Sequence, residues 1–180
     1  MNVVVIDNGG QWTHLEYRAL RELGADVKVV PNTTRAEDIE CDALVLSGGK
    51  GSVNDGMGFC DEYLDKLGVP VLGICMGLHI IAKHFGGQVE KGAGEYGKIE
   101  IRVTDSDEIF ANLSKKFNVW ESHGEEVTFL PDCFSLLASS ETCNIEAVKF
   151  KDIYGVQFHP EVRETENGKA IMRNFLELVR

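Results

Sequence analysis

Short apolar runs alternate with amphipathic stretches through the first half of this chain, and that alternation leaves few folds open. Val3 to Ile6 is such a run, ending at Asp7; Val27 to Val30, Ala43 to Leu46 and Val71 to Ile74 are others. Runs this short and this uniformly apolar suit strands buried on both faces, as in parallel sheets. Helical signals lie between them. Leu15, Ala19, Leu20 and Leu23 share one side of a helix that Gly24 stops. Phe59 to Leu67 reads as a second helix, closed by Gly68. Leu78, Ile81, Ala82 and Phe85 fall at i, i+3, i+4 and i+7, a third helix ended by Gly86-Gly87.

After Gly87 the pattern changes. Strand-like runs follow at Lys98 to Val103, Asn118 to Trp120, Glu126 to Leu130, Ser135 to Ala138, Glu146 to Phe150 and Ile153 to Phe158. A last helix is expected from about Gly168 to Val179. The expectation is an α/β fold: a mainly parallel central sheet flanked by helices, with an added antiparallel strand section in the second half. The 180 residues suit one domain over the whole chain. Ligands of such sheets bind at the carboxyl ends of the strands. Asp7, Ser47-Gly48-Gly49, Cys75 and His159 all fall at such ends.

Charge and composition narrow the function classes. A formal net charge of -11 argues against a broad nucleic-acid footprint. No apolar stretch is long enough to span a membrane. Met1-Asn2-Val3-Val4-Val5-Ile6-Asp7 has no basic leader and reads as a first strand, so a cytoplasmic chain is expected. The five cysteines, Cys41, Cys60, Cys75, Cys133 and Cys143, include no close CxxC pair. Neither a disulfide framework nor zinc spacing is present in the sequence. Four of them read as small buried hydrophobes.

Cys75 is different because of Gly73-Ile74-Cys75-Met76-Gly77. The cysteine stands between a strand and an amphipathic helix, with glycine two positions away on each side. A sharp strand-to-helix turn crowds its apex residue, and small neighbours relieve that crowding, as in a nucleophile elbow. The helix N-terminus favours an anion there. The Met76 N–H is placed to bind an oxyanion. Such a nucleophile needs a base, and the base an orienting group. Among five histidines, His159 follows an apolar run directly in Phe158-His159-Pro160-Glu161, with Glu161 two residues on as its partner. His79 lies one turn beyond Cys75 and could line a pocket. His14 and His84 read as surface residues. His123 sits in Trp120-Glu121-Ser122-His123-Gly124, a polar break that reads either as a plain loop or as a substrate-binding loop.

The pairing of Gly-Ile-Cys-Met-Gly with a later His-Pro-Glu resembles the class I (triad) glutamine amidotransferases. The resemblance covers essentially the whole chain. Asp7-Asn8-Gly9-Gly10-Gln11 resembles that family's opening, and Ser47-Gly48-Gly49 its oxyanion loop. Glu95-Tyr96-Gly97, Trp120-x-Ser122-His123-Gly124, Val162 after His-Pro-Glu, and Asn174-Phe175 resemble the branch that serves GMP synthesis, in its free-standing glutaminase form.

The resemblance implies that Cys75 attacks glutamine and forms a γ-glutamyl thioester. His159 would carry protons and Glu161 would orient it. Gly49 and Met76 N–H groups would form the oxyanion hole. Gly48, His79, Ser122 and His123 would contact the substrate. It implies no metal or cofactor for the glutaminase step. It also implies a synthetase partner that uses ATP and magnesium to convert XMP to GMP.

Four positions depart from the family's usual residues. Lys50 stands for a proline, His79 for a glutamine, Glu125 for an aspartate, and Glu164-Thr165 for a His-Thr pair. The rival readings are a glutaminase serving anthranilate or aminodeoxychorismate synthesis, and a catalytically inert module of the same fold. Ser47-Gly48-Gly49-Lys50-Gly51-Ser52 looks phosphate-friendly but lacks the P-loop spacing.

Overall fold

The computed structural model describes residues 1–106 and 108–179. In chain order the strands are β1 (Asn2–Asn8), β2 (Asp26–Pro31), β3 (Ala43–Gly49), β4 (Val71–Ile74), β5 (Gln88–Val103), β6 (Lys116–Phe129), β7 (Ser135–Ser139), β8 (Ala147–Phe150) and β9 (Ile153–Val156). The helices are α1 (Thr13–Glu22), α2 (Cys60–Lys66), α3 (Met76–His84) and α4 (Gly168–Glu177). All nine strands join one sheet in the order β2-β1-β3-β4-β9-β8-β7-β5-β6. The β2-β1-β3-β4-β9 half is parallel. From β9 through β8 and β7 to the β5–β6 hairpin, every pairing is antiparallel. The expected division into a parallel half and an antiparallel half is what the sheet has.

Helices cover both faces of the parallel half, which is why its strands read as unbroken apolar runs. Alternate residues of a strand point to opposite faces. Val3 and Val5 join a core with Leu20 of α1 and Phe175 of α4. Val4 and Ile6 join another with Tyr63 of α2 and with Leu78 and Ile81 of α3. Each such side chain contributes roughly 1.5–3 kcal/mol when fully buried.

Two expectations are corrected in the antiparallel half. β5 starts at Gln88, not Lys98, and β6 runs unbroken through Trp120-Glu121-Ser122-His123-Gly124. The supposed polar break is therefore strand. Phe117, Val119, Glu121 and His123 are all buried, at the two-residue period of a strand. Two of those four inward positions carry polar side chains, so a rule that looks for apolar runs stops short. β9 ends at Val156, so Gln157, Phe158 and His159 leave the sheet together.

Candidate active site

The turn at Cys75 is a feature of close packing. Cys75 has φ 50 and ψ −102, a backbone conformation that side-chain-bearing residues rarely hold. Its N–H bonds Val156 O at 2.8 Å and its carbonyl accepts the His79 N–H at 3.2 Å. The flanking glycines are required by contact. A Cβ on Gly73 would lie 2.5 Å from the Gly77 backbone, and one on Gly77 would lie 2.2 Å from Leu46 O. The helix α3 thus sits directly on β3 and β4, and the cysteine is pushed to the rim.

His159 reaches the same place from β9. Its N–H bonds Trp120 O at 3.0 Å, and its carbonyl accepts the Thr165 hydroxyl at 2.6 Å. Nδ1 lies 2.7 Å from Glu161 Oε1, and both side chains are buried. The Trp12 ring meets the imidazole edge-on with centroids 4.5 Å apart. Burial alone opposes a charge on His159. The Glu161 carboxylate and the Cys75 side chain outweigh it and push the imidazole up to about 10. A Cβ on Gly48 would lie 3.1 Å from His159 Cε1 and 3.9 Å from Cys75 Cβ, so Gly48 marks where the two meet.

Two cavities share Gly49, Cys75 and Ser122 in their linings. The larger, about 380 Å³, is lined by Gly49, Cys75, Met76, His79, Tyr96, Ser122 and His123 among others. The smaller, about 170 Å³, is lined by Trp12, Glu16, Gly48, Cys75, Ser122 and His159 among others. All nine residues singled out from the sequence are therefore brought together: eight line these cavities, and Glu161 stands behind His159. Gly49 closes β3 and bridges to Gly9, next to Met76 at the start of α3.

The other histidines separate. His84 is held by Asp61 at 2.8 Å and Asp65 at 3.3 Å, away from both cavities, and His14 is exposed.

Three residues near the thiol escape a reading of the sequence. Gln157 donates its amide N–H to Cys75 Sγ at 3.6 Å, and its Oε1 accepts from His79 Nε2 at 2.8 Å. His79 is a buried ring, and burial pushes its imidazole down against the opposing effect of the Gln157 bond. Glu16, fully buried on α1, accepts the Gly48 N–H at 3.2 Å through Oε1, while Oε2 has no partner. Burial, and then repulsion from Glu161, hold its carboxyl well above the usual carboxylate range. Trp12 packs on the base. Only its neighbourhood to the Gly9-Gly10 turn hints at a role.

A crowded thiol at a strand-to-helix elbow, faced by an imidazole with its own carboxylate, is the geometry of thiol-dependent acyl transfer on an α/β sheet. Comparison with known proteins supplies the family. The profile of the class I glutamine amidotransferases matches residues 4–179. A Pyrococcus abyssi protein, named as one of the subunits of glutamine-hydrolyzing GMP synthase, is 49% identical over 185 aligned positions, covering 98% of this chain and 97% of that one. Its Thermoplasma acidophilum namesake is 45% identical, covering 98% of this chain and 92% of that one. A crystal structure described as a GMP synthase subunit from Thermoplasma acidophilum superposes with TM-score 0.95 at 44% identity, covering 99% and 94% of the two chains. A glutamine amidotransferase from Thermotoga maritima shares the fold at TM-score 0.80 and 20% identity, covering 99% and 97%. This chain belongs to the class I glutamine amidotransferase family.

Proposed function

We propose that this chain is the glutaminase component of a two-subunit GMP synthase. The observation that carries the reading is the meeting of Cys75, His159 and Glu161 at one cavity, with Glu161 bonded to the imidazole at 2.7 Å. The Cys75 thiolate attacks the side-chain amide carbon of glutamine, and a tetrahedral oxyanion forms. Gly49 and Met76 N–H groups stabilise that oxygen. His159, held as imidazolium by Glu161, gives its proton to the departing nitrogen, so ammonia leaves and a γ-glutamyl thioester remains. His159 then takes a proton from water, which attacks the thioester and releases glutamate and the free thiol.

Gly48, His79, Ser122 and His123 form the walls that hold the substrate. His79 acts on the site through Gln157, because its own Nε2 is already committed to Gln157 Oε1. The ammonia passes to a synthetase partner that uses ATP and magnesium to convert XMP to GMP. The names of the relatives at 44–49% identity over nearly the full chain support that partner over one for anthranilate or aminodeoxychorismate synthesis. In keeping with a metabolic enzyme working in the cytoplasm, no helix among the described residues is long and apolar enough to cross a membrane.

The test is glutamate release from glutamine by the purified chain, alone and with a GMP synthetase partner, ATP, magnesium and XMP. Strong stimulation in the complete mixture is expected. Cys75→Ala is expected to abolish glutamine-dependent GMP formation and to spare formation from free ammonia. Glutamine hydrolysis that no synthetase partner stimulates would overturn the partner assignment.

A further inference from the structure

Beside the larger cavity lies a group of buried polar side chains of which only His123 lines that cavity. Glu95 of β5, Glu121 and His123 of β6, and Cys143 and Glu146 just before β8 are all buried, none more than 5% exposed. His123 Nε2 is 3.3 Å from Glu95 Oε2 and 3.6 Å from Glu121 Oε2. Both carboxyl oxygens of Glu121 and both of Glu146 are buried without a conventional hydrogen-bond donor. Among the described residues no lysine or arginine pairs with Glu95, Glu121 or Glu146. Three buried carboxyl groups that share one histidine are costly.

The histidine points to what would balance them. His123 Nδ1 lies 2.9 Å from Glu125 O. A carbonyl oxygen only accepts, so Nδ1 carries hydrogen. Nε2 faces the carboxyl groups of Glu95 and Glu121. That is how metal-bound histidines are held: one nitrogen donates to a backbone carbonyl and the other faces the ion. Glu95 has matching support, since Ser140 Oγ donates to its Oε1 at 2.7 Å and the Thr142 hydroxyl donates to the same oxygen.

We propose that Glu95, His123, Cys143 and Glu146 bind a divalent transition-metal ion of the zinc class. Each offers one donor atom, and the four donors lie within 4.8 Å of one another. Zinc–ligand bonds of about 2.0–2.3 Å place tetrahedral donors somewhat under 4 Å apart. Closing on an ion therefore asks the donors to approach by about 1 Å. One thiolate, one imidazole and two carboxylates form a donor set that zinc accepts. Binding releases the Cys143 proton and any proton on Glu146, so affinity rises with pH. Glu121 stands next to the ion as a further carboxylate donor. The ion would tie the 140–146 turn to the β5–β6 hairpin and fix His123, whose neighbour Ser122 lines both cavities. The site shares only His123 with the cavity that holds Cys75 and uses none of Cys75, His159 and Glu161.

The test uses the full chain purified without a histidine tag. About one equivalent of zinc per chain is expected after dialysis against zinc, with melting temperature lowered by a chelator. Cobalt(II) should give visible bands of tetrahedral coordination and a thiolate-to-metal charge-transfer band. That band should persist in Cys75→Ala and vanish in Cys143→Ser. Removing an outer partner of a metal site costs roughly 10–100-fold in affinity. Glu146→Gln should cost at least as much, and it decides the matter if Cys143→Ser does not fold. A wild-type chain that binds no metal and melts identically with and without chelator overturns the proposal. So does a cobalt–thiolate band lost in Cys75→Ala and kept in Cys143→Ser, which places the ion on the other thiol.

Discussion

Gln157 donates its side-chain amide to the sulfur of Cys75 at 3.6 Å while its oxygen is held by His79. The amide thus sits between a buried ring and the thiol, with an N–H directed at sulfur. Gln157→Met keeps volume and removes both bonds. Hydrogen bonds to charged groups are worth about 1.5–3 kcal/mol. The contact to sulfur is long, so the lower end applies, and kcat/KM for glutamine is expected to fall about tenfold. Steady-state kinetics with unchanged circular dichroism would establish it. Unaltered kcat/KM would show that the amide only packs.

The His159–Glu161 pair sets a pH signature. The folded imidazole is raised to about 10 from an ordinary 6.5. A raised histidine contributes stability that is fully present below the unfolded value. It is lost as pH climbs from there through about 10. Glu161→Gln removes the charge that holds the proton, so its alkaline loss should be shallower than wild type when melting temperature is followed against pH. In activity, Glu161→Gln should retain more than His159→Ala, because the glutamate orients and the histidine transfers. Equal or greater loss in the glutamate variant would reverse those roles.

What is legible in the sequence follows from what burial does to side chains. The β1, β3 and β4 runs can be read because both faces of that half of the sheet are covered by helices. Cys75 can be read because its glycines must touch β3 and the helix, and Glu161 because it follows His159 by two residues. The middle of β6 cannot, since Glu121 and His123 occupy inward positions that apolar residues normally fill. Glu16 is hidden the same way: it shares the buried face of α1 with Thr13 and Leu20. Gln157 reads only as part of a strand. The Glu95–His123–Cys143–Glu146 group has no sequence spacing to find, because the β5–β6 hairpin and the turn before β8 bring its members together from distant parts of the chain.

Gly77 tests how much the elbow depends on contact. A Cβ there would fall 2.2 Å from Leu46 O, a backbone atom of a buried strand that cannot step aside. Overpacking of this kind costs about 1–3 kcal/mol. Gly77→Ala should lower the melting temperature and slow iodoacetamide labelling of Cys75, since α3 must lift away from β3. Gly86→Ala provides the comparison, because no atom lies within 4 Å of its Cβ, leaving only the strain of φ +87. It should destabilise without changing the labelling rate of folded protein. Equal effects on labelling would mean that the elbow is set by something other than this contact.

Glu16 gives the same pH sign as His159, in a window that begins lower, at the carboxylate range. Its carboxyl is raised well above 4.5 by burial and by Glu161, so the folded chain prefers it neutral. Stability from an acid raised on folding is present at low pH and declines as pH passes the unfolded value. Glu16→Gln keeps an oxygen for the Gly48 N–H and cannot ionise. It should therefore melt higher than wild type at neutral pH and converge with it below the carboxylate range. Glu16→Leu leaves the Gly48 N–H without a partner, a loss of about 1–3 kcal/mol, and frees the peptide beside Cys75 and His159. The leucine variant should thus lose kcat/KM while the glutamine variant keeps it. If both retain full activity, the bond to Gly48 holds the fold alone and the loop beside the thiol is fixed by β3.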